Sequence, residues 1–329
     1  MNKLKVLELF AGIGACSKAL ERLGIEHEIV DAVEIDKYAM NSFNVIHGTS
    51  FETQNITEWD KDIEVDLIMH GSPCQDFSLA GKQAGGDKDS GTRSSLMYET
   101  IRIVKKLKPK YVIWENVKNL LSKNHRHNFN AYLETMENLG YTNYYQVLNA
   151  KDYGIPQNRE RVFTVSILGN EQYEFPAKQE LKLRLKDILE DEVDEKYYLT
   201  QSNIKTINRN FGSKGKILDL SEFSLIEKMT YPSRINQKIN ETIVPTLTSA
   251  MGTGGGNVPV INKKYDRMRK LTPKECWRLM GFDDEDFEKA EKVNSNTQLY
   301  KQARKFNLCT CTRKNFKTTI LILLIYIVR

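Results

Sequence analysis

The chain has 329 residues, 40% of them apolar and 28% charged, with 8 prolines and 19 glycines. This is a globular composition, enough for about two domains at roughly 150 residues each, and it excludes a collagenous or low-complexity chain. The net charge of +5 is uneven: residues 304–329 hold six Lys or Arg and no acid, which leaves 42 basic against 43 acidic side chains elsewhere, so nucleic-acid binding must be argued from local features. In chain order, residues 5–10 read as a buried strand running into a glycine turn, and 15–23 have helical spacing. Residues 28–34, 65–70, 111–114 and 162–168 read as further strands, with a helix over 96–107. Such alternation predicts a mostly parallel sheet with helices on both faces. From about 175 the pattern loosens, and 177–230 are rich in Lys, Glu, Asn and Ser. A glycine passage follows at 252–256. A helix is then signalled over 272–280, with Thr272 as N-cap, Pro273 at the first position and Glu275 completing a capping box. The expected layout is an α/β domain over 1–174, a smaller region over 175–260, a return to the first domain over 261–303, and a tail over 304–329.

Five cysteines, Cys16, Cys74, Cys276, Cys309 and Cys311, are odd in number and scattered. They form no disulfide framework, so a reducing compartment, the cytoplasm, is expected. The N-terminal apolar run is too short and glycine-rich for a signal peptide, and the apolar run 320–328 falls short of the about 20 residues a bilayer helix needs. No membrane association is expected.

The candidate chemistry sits at strand ends. Phe10-Ala11-Gly12-Ile13-Gly14 joins a strand to a helix, a geometry that brings backbone N–H groups close to a ligand. Ser17 stands where a dinucleotide fingerprint has its third glycine, and a plain tight turn is the alternative reading. Glu34, followed by Ile35, ends the next strand, where an acid accepts hydrogen bonds from ribose hydroxyls; a capping or solvated glutamate is the alternative. Gly71-Ser72-Pro73-Cys74-Gln75 follows a buried strand, so Cys74 is presented at a crevice where a thiol can become a nucleophile. A buried apolar cysteine is equally compatible with that position. Glu115 ends the adjacent strand and could act there as an acid. Arg159 and Arg161, two residues apart before an apolar strand, could clamp an anion or carboxyl, or form a solvated edge.

Taken in this order and spacing, the segments resemble the DNA cytosine-5 methyltransferase family of bacteria and phages. The turn at Phe10, Gly12 and Gly14, the acid Glu34, the Asn55-Ile56-Thr57 segment and Pro73-Cys74-Gln75 match its motifs. So do Glu115-Asn116-Val117, Gln157 with Arg159 and Arg161, and a stretch from Arg234 through Thr246-Leu247 to Gly254, Gly255 and Gly256. Asn55 stands where the family usually carries Asp. The resemblance spans residues 4–303. It implies a Rossmann-like S-adenosylmethionine-dependent methyltransferase sheet with a small target-recognition domain over 175–260. S-adenosylmethionine would be bound by Phe10, Gly12, Gly14, Glu34, Ile35, Asn55, Ile56 and Pro73. Cys74 would attack C6 of a flipped cytosine, Glu115 would serve N3, Arg161 would contact O2, and Arg159 would help order the loop. DNA contacts would come from Gln75, Ser78, Arg234, Thr246 and Gly254–Gly256. Double-stranded DNA is the implied partner, with a cognate restriction endonuclease acting on the same site. A monomer without a metal is expected. Competing readings are a tRNA cytosine-5 methyltransferase, a non-catalytic DNA-binding remnant and, more distantly, a nicotinamide oxidoreductase.

The resemblance breaks after Ala303. The family continues with Gly-Asn-Ser, whereas this chain continues Arg304-Lys305-Phe306. Residues 304–316 can be back-translated so that reading from the second base gives Gly-Asn-Ser-Ile-Cys-Val-Pro-Val-Leu-Glu-Lys-Ile. The tail is therefore read as frameshifted, which explains its basic excess and apolar end and demotes Cys309 and Cys311 as metal ligands. One wall of the donor site would then be missing, and activity would suffer.

Overall fold

The structure is a computed structural model, and it describes residues 3–73, 93–219, 221–226, 236–239, 242–248, 251, 258–262 and 268–303. The described residues fall into two units, 3–149 with 160–179 and 150–159 with 180–303.

In the first unit, Leu4–Leu9 (β1) reads as an apolar run because both of its faces are covered: Val6, Leu7 and Leu9 are buried, as expected of an interior parallel strand. It pairs in parallel with β2 (His27–Val33) on one side and β3 (Leu67–His70) on the other. β4 (Tyr111–Val117) continues in parallel beside β3. β5 (Tyr141–Asn149), the two-residue β6 (Gln157–Asn158) and β7 (Glu160–Leu168) follow in sequence. The six-stranded order is β2-β1-β3-β4-β7-β5. β7 is antiparallel to both neighbours, which the strand–helix alternation did not suggest. β5 and β7 are joined by a short excursion with no crossover helix, and strands so connected pair antiparallel. β5 itself escaped the sequence reading because it is an edge strand, its residues mostly half-buried or exposed.

Four helices accompany this sheet: α1 (Ala15–Leu23), α2 (Lys37–His47), α3 (Met97–Leu107) and α4 (Arg126–Asn138). Successive residues of β2 show two covered faces. Val33 joins a core with Leu7, Leu9, Ile68, Val112, Trp114, Val104 and Phe129, whereas Ala32 joins a second cluster with Met40 and Phe43 of α2. This alternation is the period-two geometry of a strand packed on both sides.

The second unit contains α5 (Gln201–Gly212), β8 (Ser224–Ile226), β9 (Gln237–Ile239), β10 (Val244–Pro245), β11 (Val260–Asn262) and β12 (Arg269–Lys270), then α6 (Pro273–Arg278), α7 (Asp284–Glu291) and α8 (Asn296–Gln302). Four of its strands form a sheet of order β12-β11-β8-β9, over a core that includes Ile207, Phe211, Ile226 and Val260. The segment 268–303, which the sequence reading returned to the first domain, groups here with the second unit. The capping box of α6 forms as expected: Thr272 Oγ1 accepts from Glu275 N–H at 3.1 Å, and Glu275 Oε2 accepts from Thr272 N–H at 2.8 Å. The same buried carboxylate takes both guanidinium ends of Arg269, at 2.8 and 2.6 Å. Among the described residues no helix is long and apolar enough to cross a membrane.

One buried acid in β1 governs the start of α1. Gly14 is the N-cap of that helix and has no side chain to cap it. Glu8 does so from the strand, accepting from Ser17 N–H at 2.9 Å and from the Ser17 hydroxyl. Burial raises the Glu8 carboxyl from its ordinary 4.5 to about 7, against the hydrogen bonds from Ser17 and Cys16. The fold therefore binds this proton more tightly than the unfolded chain does, and stability falls as pH rises from about 4.5 through about 7. Glu8→Gln removes the titration. Thermal unfolding of both proteins from pH 4.5 to 8 is expected to show the wild type losing stability relative to the variant across that window, with a constant difference above it.

Candidate active site

The glycine turn is built on left-handed backbone. Phe10, Gly12 and Gly14 have φ of 55°, 62° and 80°. Glycine accepts such angles freely, whereas Phe10 is held there at a cost of order 1–3 kcal/mol. Gly14 is also closely approached: a Cβ on it would lie 2.0 Å from His47 Nε2 and 2.9 Å from Phe43. His47 has little room to yield, because its ring packs on Phe43 at 4.7 Å between centroids. Burial lowers the His47 pKa to about 4, so it stands there neutral.

Glu34, at the end of β2, is buried against this turn. Its Oε2 accepts from Gly12 N–H and its Oε1 from Asp36 N–H, both at 2.9 Å, while its carbonyl accepts from Gln54 N–H at 3.0 Å. The next residue, Ile35, is 72% exposed, an apolar side chain left at the mouth of the turn. Asn55 lies in a short turn, where its Oδ1 accepts from Thr57 N–H at 3.2 Å and its amide donates to Glu58 at 3.0 Å. Ile56 points into the core, so its side chain is turned away from any ligand at the turn. The structure thus brings Phe10, Gly12, Gly14, Glu34, Ile35, Asn55 and Ile56 into one unit, and ties the first turn to Glu34 and Glu34 to the segment leading to Asn55. Close backbone, a carboxylate and an exposed apolar side chain suit a nucleoside-bearing ligand.

The loop that carries Cys74 leaves β3 at His70. Ser72 is buried, and its hydroxyl accepts from Trp114 Nε1 at 2.9 Å; Asn116 Nδ2 lies 3.4 Å from both its Oγ and its carbonyl. Pro73, half-buried, is the last described residue of this loop, and Cys74, Gln75 and Ser78 lie outside the described residues. Below the strand end, His70 stacks on Trp114 at 5.7 Å between nearly parallel rings, with Thr100 and Tyr132 hydroxyls 3.4 Å from its two nitrogens. Burial lowers its pKa to about 3, keeping it neutral. Ser72, Trp114, Asn116 and His70 are supporting residues that sequence reasoning did not single out. The one available signal was their position on the ends of neighbouring strands.

Glu115 and Arg161 meet through sheet register. Arg161 of β7 stands opposite Val117 of β4; Glu115 shares the face of Val117 and is reached diagonally. Arg161 Nε lies 2.9 Å from Glu115 Oε1, both side chains mostly buried. That oxygen is shielded from solvent and accepts no hydrogen bond within the described residues, so the contact is an ion pair with acceptor capacity left over.

Gln157, Arg159 and Thr246 belong to the second unit. β6 and β10 pair in parallel, which sets Gln157 beside Val244. Thr246 Oγ1 donates to the Asn158 carbonyl at 2.7 Å, and buried Gln157 donates to the Leu279 carbonyl at 2.9 Å and takes Leu247 N–H at 3.4 Å. Arg159 is buried, its carbonyl accepting from Ala150 N–H at 3.0 Å. The two motif arginines fall on either side of the division between units. Arg234, Gly254, Gly255 and Gly256 lie outside the described residues, as do 304–329.

Residues 4–304 match the model of the C-5 cytosine-specific DNA methylase family. The chain belongs to that family. This methylase is 36% identical to the type II methyltransferase M2.ScrFI of Lactococcus lactis subsp. cremoris, over 91% of the chain and 94% of the relative. It is also 36% identical to the type II methyltransferase M.Bsp6I of Bacillus sp. (strain RFL6), over 91% and 93%. Among solved structures it resembles the Dnmt2 methyltransferase of S. pombe, with a TM-score of 0.71 at 19% identity over 98% of both chains. The methyltransferase EhMeth of Entamoeba histolytica superposes with a TM-score of 0.71 at 18% identity, over 99% and 98%. At those identities the structural likeness establishes the fold, a mixed α/β methyltransferase sheet. The methylase is an enzyme, and S-adenosylmethionine is its methyl donor.

Gly14→Ala tests the cradle. The backbone term alone should cost about 1–3 kcal/mol, and the His47 contact adds to it. The expected outcome is a lower denaturation midpoint together with weaker donor binding by calorimetric titration, whereas Gly24→Ala, where a Cβ meets nothing, should lower the midpoint and leave donor affinity unchanged.

Proposed function

We propose that this methylase transfers a methyl group to C5 of a cytosine flipped out of duplex DNA, through a covalent adduct with Cys74. The observation that carries the reading is the Glu115–Arg161 pair, buried at the end of the strand next to the one that launches the Cys74 loop. The donor would be held by the Gly12–Gly14 backbone, Glu34, Ile35 and the Asn55–Ile56 segment, with Phe10 and Pro73 alongside; when bound it supplies a methyl group made electrophilic by its sulfonium.

In this reading the Cys74 thiolate adds to C6 of the ring. Glu115 takes up a proton as the base enters, protonates or hydrogen-bonds N3 with it, and offsets the charge that develops there, an effect that is large inside a site closed to water. Arg161 holds Glu115 and contacts O2, while Arg159 orders the loop. C5, now enamine-like, accepts the methyl group; a base then removes the C5 proton, and the C6–S bond breaks to return Cys74. Gln75 and Ser78 close over the flipped base, and Arg234, Thr246 and Gly254–Gly256 contact the duplex. The target-recognition region falls over 175–260, and a cognate restriction endonuclease would act on the same sequence.

Cys74→Ser should abolish methyl transfer and leave duplex binding largely intact, because only the covalent step is removed. A duplex carrying 5-fluorocytosine should trap the wild type as a denaturation-resistant adduct, since fluorine cannot leave as a proton does. An adduct with Cys74→Ser would point to another nucleophile. Radiolabelled methyl transfer to duplex DNA against tRNA separates the two substrate classes, and transfer to tRNA alone would overturn the DNA reading.

The tail enters the same proposal. The family match stops at residue 304, which supports reading 304–329 as a frameshifted replacement for Gly-Asn-Ser and the helix after it. Arg304-Lys305-Phe306 brings bulk and positive charge where the donor already bears a cation. Deleting one nucleotide near codon 304, so that Gly-Asn-Ser follows Ala303, is expected to tighten donor binding by calorimetry and raise solubility. Equal affinity of the two versions would mean the tail does the work of the lost motif.

A further inference from the structure

The segment 53–61 crosses from β2 towards β3 with a single turn and no helix or strand of its own, yet it is gripped from three directions. From β2, the buried Asp31 accepts from Trp59 Nε1 at 2.7 Å, from Gln54 Nε2 at 2.8 Å and from Ala32 N–H at 2.9 Å, with Lys61 Nζ 2.8 Å from its Oδ2. One carboxylate therefore holds the residue just before Asn55–Ile56 and a second residue three positions beyond it. From α3, Arg102 Nη2 donates to the Ile56 carbonyl at 2.9 Å and the Trp59 carbonyl at 2.8 Å, and Lys106 reaches Asp60 at 2.8 Å. At the end of β2, Gln54 Nε2 also donates to the Ala32 carbonyl at 2.9 Å, and its N–H to the Glu34 carbonyl at 3.0 Å.

A carboxylate buried inside a strand is costly unless every lone pair finds a donor. An apolar residue would serve packing at that position equally well. Asp31 is instead surrounded by donors drawn from the turn, and Arg102 closes the carbonyls on its other side. We propose that Asp31 and Arg102 are positioning residues that hold the Asn55–Ile56 segment in its donor-binding conformation before the donor arrives. The proposal rests on the assignment of Asn55 and Ile56 to the donor site. Because the ordering cost is met during folding, it is not charged at binding. Loosening the clamp should therefore raise the dissociation constant and KM for the donor and leave kcat at saturating donor, and KM for DNA, where they are.

Asp31→Asn is nearly isosteric, but its amide accepts at one end only and turns an NH2 towards the donors at the other, either Trp59 and Lys61 or Gln54 and Ala32. Trp59→Phe deletes one donor and keeps an aromatic ring in the core. Arg102→Met keeps the stem and deletes the fork. Calorimetric titration with S-adenosylhomocysteine is expected to show a dissociation constant about tenfold higher for Asp31→Asn and Arg102→Met, with a smaller rise for Trp59→Phe, and kcat within about twofold of wild type. Hydrogen exchange should show amides 54–60 losing protection in the unliganded variants. Variants that melt earlier but bind the ligand as tightly as wild type overturn the clamp, as does lost protection with retained affinity. Each variant is also made with Gly-Asn-Ser restored after Ala303, so that weak binding due to the tail is recognised. A wild type that binds no ligand in either form overturns the donor-site assignment itself.

Discussion

Glu34 is the tie on which the glycine-turn end of the first unit depends. Three segments far apart in sequence must stand together there: the glycine turn after β1, the end of β2 and the approach to Asn55. Glu34 Oε2 accepts from Gly12 N–H and its carbonyl accepts from Gln54 N–H, so one residue belongs to all three. Its charge also makes the two side-chain bonds, from Gly12 and Asp36 N–H, stronger than neutral ones in a buried setting. The left-handed angles at Phe10, Gly12 and Gly14 are what turn the Gly12 N–H towards it. Without the carboxylate the Gly12 N–H would lose its partner, and the turn would be braced by Ala11 N–H on the Val33 carbonyl and Gly14 N–H on the Ala11 carbonyl.

The acid–guanidinium pair depends on a different constraint, the direction of β7. Inserting an antiparallel strand between β4 and β5 sets Arg161 opposite Val117 and within diagonal reach of Glu115. Were β7 to run the other way, its N-terminal Arg161 would stand at the opposite end of β4. The local break in the parallel pattern is thus what delivers a cation from a sequence-distant motif to the end of the sheet where the segment leading to Cys74 starts.

The interior strands were legible because burial on both faces leaves nearly continuous apolar runs, as in β1 and β3. β5 was not, since Thr142, Asn143 and Gln146 suit an edge strand and a surface loop alike. α2 escaped for a related reason: Asn41, Ser42 and Asn44 break its apolar stripe, and its cap at Asp36 follows a strand end that drew the eye first. At the site, Glu34, Glu115 and Arg161 were readable from position and motif. Ser72, His70, Asp31 and Arg102 were not, because their work is done through partners some 28 to 62 residues away in the chain, and separations of that size leave no local pattern.

The buried acid at the start of α1 has a consequence for which ligands the glycine turn can welcome. In many α/β proteins the bare N–H groups of such a helix, with the positive end of its dipole, make a seat for phosphate. Here the Ser17 N–H is already taken from behind by Glu8, and Glu34 stands across the turn with its own carboxylate on Gly12. A pyrophosphate brought to this seat would find the Ser17 and Gly12 N–H groups already occupied and the Glu34 carboxylate across the turn. A sulfonium needs no such donors. The turn keeps the shape of a dinucleotide site while its N–H groups are spent on the protein's own acids, which disfavours a phosphate there as much as the missing glycine at Ser17 does.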